Sequence, residues 1–144
     1  MKGLIFHCRD FRFKDLEKSS KPLGISEVVS KEKFNQGSFK NRIVVFVCIE
    51  EGDTKREVED ARKHIIHMID EWHGGNKDII LLPFGHLSKN LAKPEISKEL
   101  IDSLSSLLRK GQKKVDLITF GTHKEWMIDV YGYPRATSWF QFPD

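Results

Sequence analysis

The stretch Arg42–Glu50 (RIVVFVCIE) constrains the fold of this chain more than any other. Its centre, Ile43–Ile49, is apolar without interruption and rich in β-branched residues, so it predicts a strand covered on both faces. Just after it, Thr54-Lys-Arg-Glu57 has the S/T-x-x-E form of a capping box, with Asp53 as a second cap candidate. Val58, Ala61, Ile65, Met68, Ile69 and Trp72 then keep a 3.6-residue period, which predicts an amphipathic helix over Thr54–His73, ended by Gly74-Gly75. A doubly covered strand feeding directly into such a helix belongs to layered α/β architecture.

The rest of the chain extends that pattern. Gly3–Cys8 (GLIFHC) reads as a strand, followed by a turn near Arg9–Asp10 and a second short strand at Phe11–Phe13. Ser19–Gly24 and Asn35–Ser38 bracket a polar, irregular excursion. Asp78–Pro83 is a buried strand and Phe84–Lys93 a loop. Pro94 opens a second helix, whose apolar face is Ile96, Leu100, Ile101, Leu104, Leu107 and Leu108 and which Lys110-Gly111 closes. Val115–Phe120 and Glu125–Tyr131 are strands separated by Gly121; Gly132–Pro134 turns the chain into an edge strand, Thr137–Phe142. The order ββ-β-α-β-α-β-β-β predicts an α/β (α+β) domain spanning 1–144: a mixed β-sheet with two amphipathic helices packed on one face.

Composition excludes several classes. With 144 residues there is room for one core, and ten Phe and three Trp supply it. A net charge of +3 permits contact with a polyanion without forming the dense basic stripe of a duplex-gripping protein. Cys8 and Cys48 both lie in apolar runs and read as buried free thiols of a reducing compartment. No apolar run approaches membrane-spanning length and no leader is recognisable, so the expectation is a cytoplasmic protein with no membrane contact.

Chemistry on an α/β scaffold gathers where strands end in loops. His86 follows one strand in Pro83-Phe84-Gly85-His86; His123 and Lys124 follow another in Phe120-Gly121-Thr122-His123-Lys124. Taken singly, each is an ordinary solvated or structural residue. If the two strands are neighbours, two imidazoles and an ammonium converge on one crevice. His64 and His67 sit three apart on the first helix with no third metal ligand in view, so they read as a polar flank. His7 and Cys8 point to opposite faces of a strand, and Glu125 and Asp129 read as a solvated pair. Zinc spacing, a P-loop, a dinucleotide fingerprint and a nucleophile elbow are all missing, so neither metal nor cofactor is expected.

Leu82–Pro94 (LPFGHLSKNLAKP) resembles the signature of the N-terminal editing domain of archaeal-type threonyl-tRNA synthetase, close to PFxHLSxxLAKP. Phe120–Lys124 (FGTHK), Gly132-Tyr133-Pro134, the opening GLIFHCRD and VVFVCIEEGD match it in the same order, so the resemblance spans the chain. It implies a fold similar to D-aminoacyl-tRNA deacylase, whose own Ser-Gln-x-Thr and Asn-x-Gly-Pro signatures are not present. The implied activity is proofreading: hydrolysis of serine from threonine tRNA by a water assisted by the terminal ribose 2′-hydroxyl. The implied partners are the tRNA acceptor end, a second copy in a homodimer, and the catalytic part of a threonyl-tRNA synthetase.

Residue by residue, the resemblance makes Lys124 the active-site lysine, stabilising an oxyanion or orienting the water, and His86 the pocket histidine beside the substrate. Backbone groups at Pro83 and Phe84 would hold the amino acid, and Ile49 would wall off the extra methyl of threonine. His123 stands where family members carry Tyr. Thr137 stands where they carry a Glu that pairs with the lysine, so Lys124 is expected to lack a carboxylate partner and to have a lowered pKa in a dry site. Two other readings stay open: a D-aminoacyl-tRNA deacylase, and a tRNA-binding or dimerisation module without chemistry.

Overall fold

Lys2–Lys18 forms one 17-residue strand, β1, without the expected turn at Arg9–Asp10. Register against the neighbouring strand shifts between Cys8 and Asp10, so Arg9 is absorbed as a bulge. A bulge flips the alternation, which is why a polar pair interrupting the pattern looked like a turn. The structure, a computed structural model, describes residues 1–22, 24–29, 33–75, 77–111 and 113–144, with the backbone alone at 26 and 27.

After β1 come α1 (Ile25–Val29), β2 (Gln36–Cys48), α2 (Lys55–Trp72), β3 (Ile79–Pro83), a 3₁₀ turn (Gly85–Leu87), α3 (Pro94–Lys110), β4 (Val115–Leu117), β5 (Thr122–Val130) and β6 (Thr137–Gln141). Helix α1 replaces part of the expected irregular excursion; Leu23 and residues 30–32 of that stretch lie outside the described residues. Helix α2 begins as expected, with the Thr54 side chain accepting from Arg56 and Glu57 reaching back to the Thr54 backbone. Pro94 is the first residue of α3, where its missing N–H removes no helical bond.

The sheet is mixed. Strand order is β4-β3-β2-β1-β5, with β6 also paired to β1. Strands β2, β3 and β4 run parallel, and β1 is antiparallel to β2, β5 and β6. Ile43, Val45, Val47, Ile79 and Leu81 face α2 and α3 in the larger core, so both long helices lie on one face. Ile96 and Trp72, expected in the apolar stripes, are instead 42% and 43% exposed. The Arg135 guanidinium lies 3.8 Å over the Trp72 ring. His64, expected on a polar flank, packs its ring against Phe140 and Phe142.

One connection shapes the site. β4 ends at Leu117 on one edge of the sheet, and β5 begins at Thr122 beyond the other. The five Cα-to-Cα steps from Leu117 to Thr122 reach at most about 18 Å, whereas four strand spacings in a flat sheet come to roughly 19 Å. The sheet therefore curls. Ile118 is buried with Phe11, Phe13, Val44, Phe46, Ile80 and Leu82 in a second core inside the curl. Trp126 on β5 reaches edge-on to Phe46 on β2, with ring centroids 5.5 Å apart.

Candidate functional site

The curl brings β5 over the carboxyl ends of β2 and β3 and encloses a cleft of about 740 Å³. Ile49, Pro83, Phe84, His86, His123 and Lys124 all line it, so six of the seven residues singled out in the sequence share one site. The condition stated for convergence holds, because β3 and β4 are parallel neighbours. Thr137 is the exception among the described residues: it is exposed on β6 opposite Phe6 and does not line this cleft.

Each wall has a local cause. Ile49 continues the buried face of β2, 2% exposed and packed in the helix-side core, and presents an aliphatic surface to the cavity. Phe84 donates its N–H to the Val47 carbonyl at 2.8 Å. Pro83 has no N–H, so the backbone groups left unengaged at Pro83–Phe84 are carbonyl oxygens rather than amides. The Phe84 ring meets Phe46 edge-on at 5.1 Å and His86 at 5.2 Å, which keeps the otherwise exposed imidazole at the rim. Cys48 also lines the cleft, and burial raises its thiol pKa, so it is not a ready thiolate.

Lys124 is the most constrained polar group. Its Nζ donates to Thr119 O at 3.1 Å, Thr122 O at 3.1 Å and Thr122 Oγ1 at 2.8 Å. Asp15 Oδ1 lies 3.6 Å away, its side chain fully buried. The expectation that Lys124 has no carboxylate partner is thereby corrected: Asp15 on β1, not a residue at position 137, supplies one. Burial still holds the Lys124 pKa below the ordinary lysine value, and Asp15 opposes that shift by charge and hydrogen bonding. His123, beside it, is exposed.

Asp15, Thr122 and Trp126 were missed from sequence. A signal for the first existed: Phe11, Phe13 and Asp15 alternate, placing a carboxylate on the apolar side of β1. Among the described residues, no cluster of three His, Cys, Asp or Glu side chains could hold a metal ion. No helix among them is long and apolar enough to cross a membrane.

The threonine–tRNA ligase of Staphylothermus marinus is 37% identical over 138 residues, covering 94% of this chain and 21% of the ligase. The threonine–tRNA ligase editing subunit of Saccharolobus solfataricus is 30% identical over 133 residues, covering 92% of this chain and 32% of the subunit. This chain thus spans about a fifth to a third of the length of these curated relatives. Two solved structures share the fold. One, described as a c-Myc DNA unwinding element binding protein, has a TM-score of 0.71 at 14% identity with full coverage of both chains. The other, described as a probable eukaryotic D-amino acid tRNA deacylase, has a TM-score of 0.61 at 12% identity, covering 96% of this chain and 97% of that one. The model of the archaea-specific editing domain of threonyl-tRNA synthetase matches residues 1–141, and this chain belongs to that family.

Proposed function

We propose that this chain is an aminoacyl-tRNA hydrolase that removes serine from threonine tRNA. The observation that carries the reading is the meeting of Ile49, Phe84, His86 and Lys124 in one cleft at the ends of β2 and β3, in a chain of the editing-domain family. The chemical need is plain. A methyl group gives only about 1–3 kcal/mol of discrimination, so a synthesis site shaped for threonine admits serine and a second, smaller site must clear it.

In this reading the seryl ammonium is received by carbonyl oxygens at Pro83–Phe84, and Ile49 closes the space threonine's methyl would need. A water adds to the ester carbonyl carbon. The bond to the ribose oxygen breaks, and that oxygen takes the proton the water loses, with the adjacent 2′-hydroxyl assisting. Lys124 exchanges one loop carbonyl for the ester oxygen and stabilises its developing charge. His86 and His123 line the entrance and position the terminal ribose. The other partners are the acceptor end of the tRNA and the catalytic part of a threonyl-tRNA synthetase. The third is a second copy docking on Trp139, which β6 holds 69% exposed.

The test is the hydrolysis rate of seryl- and threonyl-esters on threonine tRNA, with wild type and Lys124→Met. Serine loss, threonine sparing and a drop of at least about a hundredfold in the variant are expected, as for removal of an oxyanion donor. A second reading, a tRNA-binding module without chemistry, has one observation behind it: all three ammonium donors of Lys124 already face protein oxygens. It requires tRNA binding with no ester cleavage by the wild type.

A further inference from the structure

We infer that Asp15 is a positioning residue of this site, holding the Lys124 ammonium through the Thr122 hydroxyl; the inference rests on the hydrolase reading above. Thr122 has a single hydroxyl proton. It donates to Asp15 Oδ1 at 2.7 Å, because a carboxylate oxygen only accepts. Its lone pairs then accept from Lys124 Nζ at 2.8 Å. The order Asp15–Thr122–Lys124 therefore has one direction, with the lysine donating at its end.

Asp15 is itself fixed. Its Oδ2 accepts from the Asn35 N–H at 2.9 Å, and its own N–H donates to the Asn35 carbonyl at 2.9 Å. With its side chain fully buried, it has no solvent partner to exchange for these. The remaining Lys124 donors go to Thr119 O and Thr122 O, so the same lysine closes the 119–122 turn. A lysine side chain that is only one-tenth exposed loses most of its hydration, and a nearby carboxylate with a relayed hydrogen bond offsets that loss. Among the described residues, the other titratable groups lining the cleft are Lys21 from the β1–α1 connection, Cys48 at the end of β2, His86 from the turn after β3 and His123 on the same strand. Asp15 is the charged side chain in contact with the ammonium. In the substrate-free protein Asp15 thus keeps Lys124 protonated and confined to one orientation at the cleft wall.

The experiment is an NMR titration of ε-¹³C-lysine protein, with the Lys124 resonance assigned from Lys124→Met, on wild type, Asp15→Asn, Thr122→Val and Thr122→Ser. The Lys124 midpoint is expected to fall by about one pH unit in Asp15→Asn. It falls too in Thr122→Val and returns toward wild type in Thr122→Ser. With seryl-tRNA, kcat drops tenfold or more in Asp15→Asn and Thr122→Val, KM barely moves, and the alkaline limb of the rate profile shifts to lower pH. An unmoved Lys124 midpoint in these two variants overturns the inference, as does a moved midpoint with wild-type kcat. If Asp15→Asn does not fold, the Thr122 pair decides alone. If the wild type cleaves no seryl-tRNA, the hydrolase reading fails and the titration by itself decides whether Asp15 holds the ammonium.

Discussion

A Cβ placed on Gly121 would lie 2.3 Å from Cγ2 of Val29. The same glycine has φ +73°, a conformation that costs a residue with a side chain roughly 1–2 kcal/mol. Helix α1 therefore rests directly on the turn that carries the chain from β4 to β5, beside the cleft. Gly121→Ala combines the backbone penalty with an overlap against a fully buried Val29. The expected loss is about 2–4 kcal/mol of folding stability, read as a lower urea midpoint. An unchanged midpoint would mean that α1 does not pack there.

The start of α2 gives a second expectation. Thr54→Ala removes the side-chain acceptor for Arg56 N and the partner of Glu57, and should cost about 1 kcal/mol in thermal or urea unfolding. The Glu57 carboxyl is held below its ordinary pKa of 4.5 by the Thr54 hydroxyl and backbone. Its contribution is therefore fully present above pH 4.5 and is lost as pH falls through the lowered folded value. Below that range the gap between variant and wild type should narrow to what the Arg56 N–H bond to the Thr54 hydroxyl contributes.

His73 caps α2 and is buried, donating or accepting at Tyr133 Oη at 2.7 Å. Burial lowers its pKa from 6.5 to about 4, with His7 and Lys77 adding to the shift. Between those values the unfolded chain binds a proton that the folded one refuses, so stability is full above pH 6.5 and declines as pH falls toward 4. The decline is roughly 1–2 kcal/mol once solvent screening is allowed for. Urea midpoints measured across that interval should flatten in His73→Gln.

Selectivity tests the wall. Ile49→Ala enlarges the cleft by about three methyl-sized groups, at the wall that the proposed reading sets against threonine's methyl. Threonyl-tRNA hydrolysis should rise tenfold or more relative to seryl-tRNA hydrolysis, the scale that one methyl sets. Preserved discrimination would move the specificity wall elsewhere.

Association tests the exposed aromatic. Trp139 lies opposite Leu4, 69% exposed, on a strand that, among the described residues, pairs only with β1. Trp139→Glu should leave unfolding midpoints within about 0.5 kcal/mol while converting a dimer to monomer in sedimentation velocity. A monomeric wild type would remove the second copy from the proposed assembly.

Local physics alone determined much of this protein. The apolar run of β2, the capping box and period of α2, Pro94 at the head of α3 and the strand–Phe–Gly ends were legible because each depends on neighbours a few residues away. Arg9 was read as a turn because a bulge and a break look alike until a partner strand sets the register. The folded site depended on distant pairing. Four residues bridging β4 to β5 force the sheet to curl, and that curl brings Lys124 from one edge over Ile49 and Phe84 from the centre. The lysine's partner was decided there too. Asp15 lies 109 positions earlier in the chain, and only the antiparallel pairing of β1 with β5 sets the two side chains on one buried face.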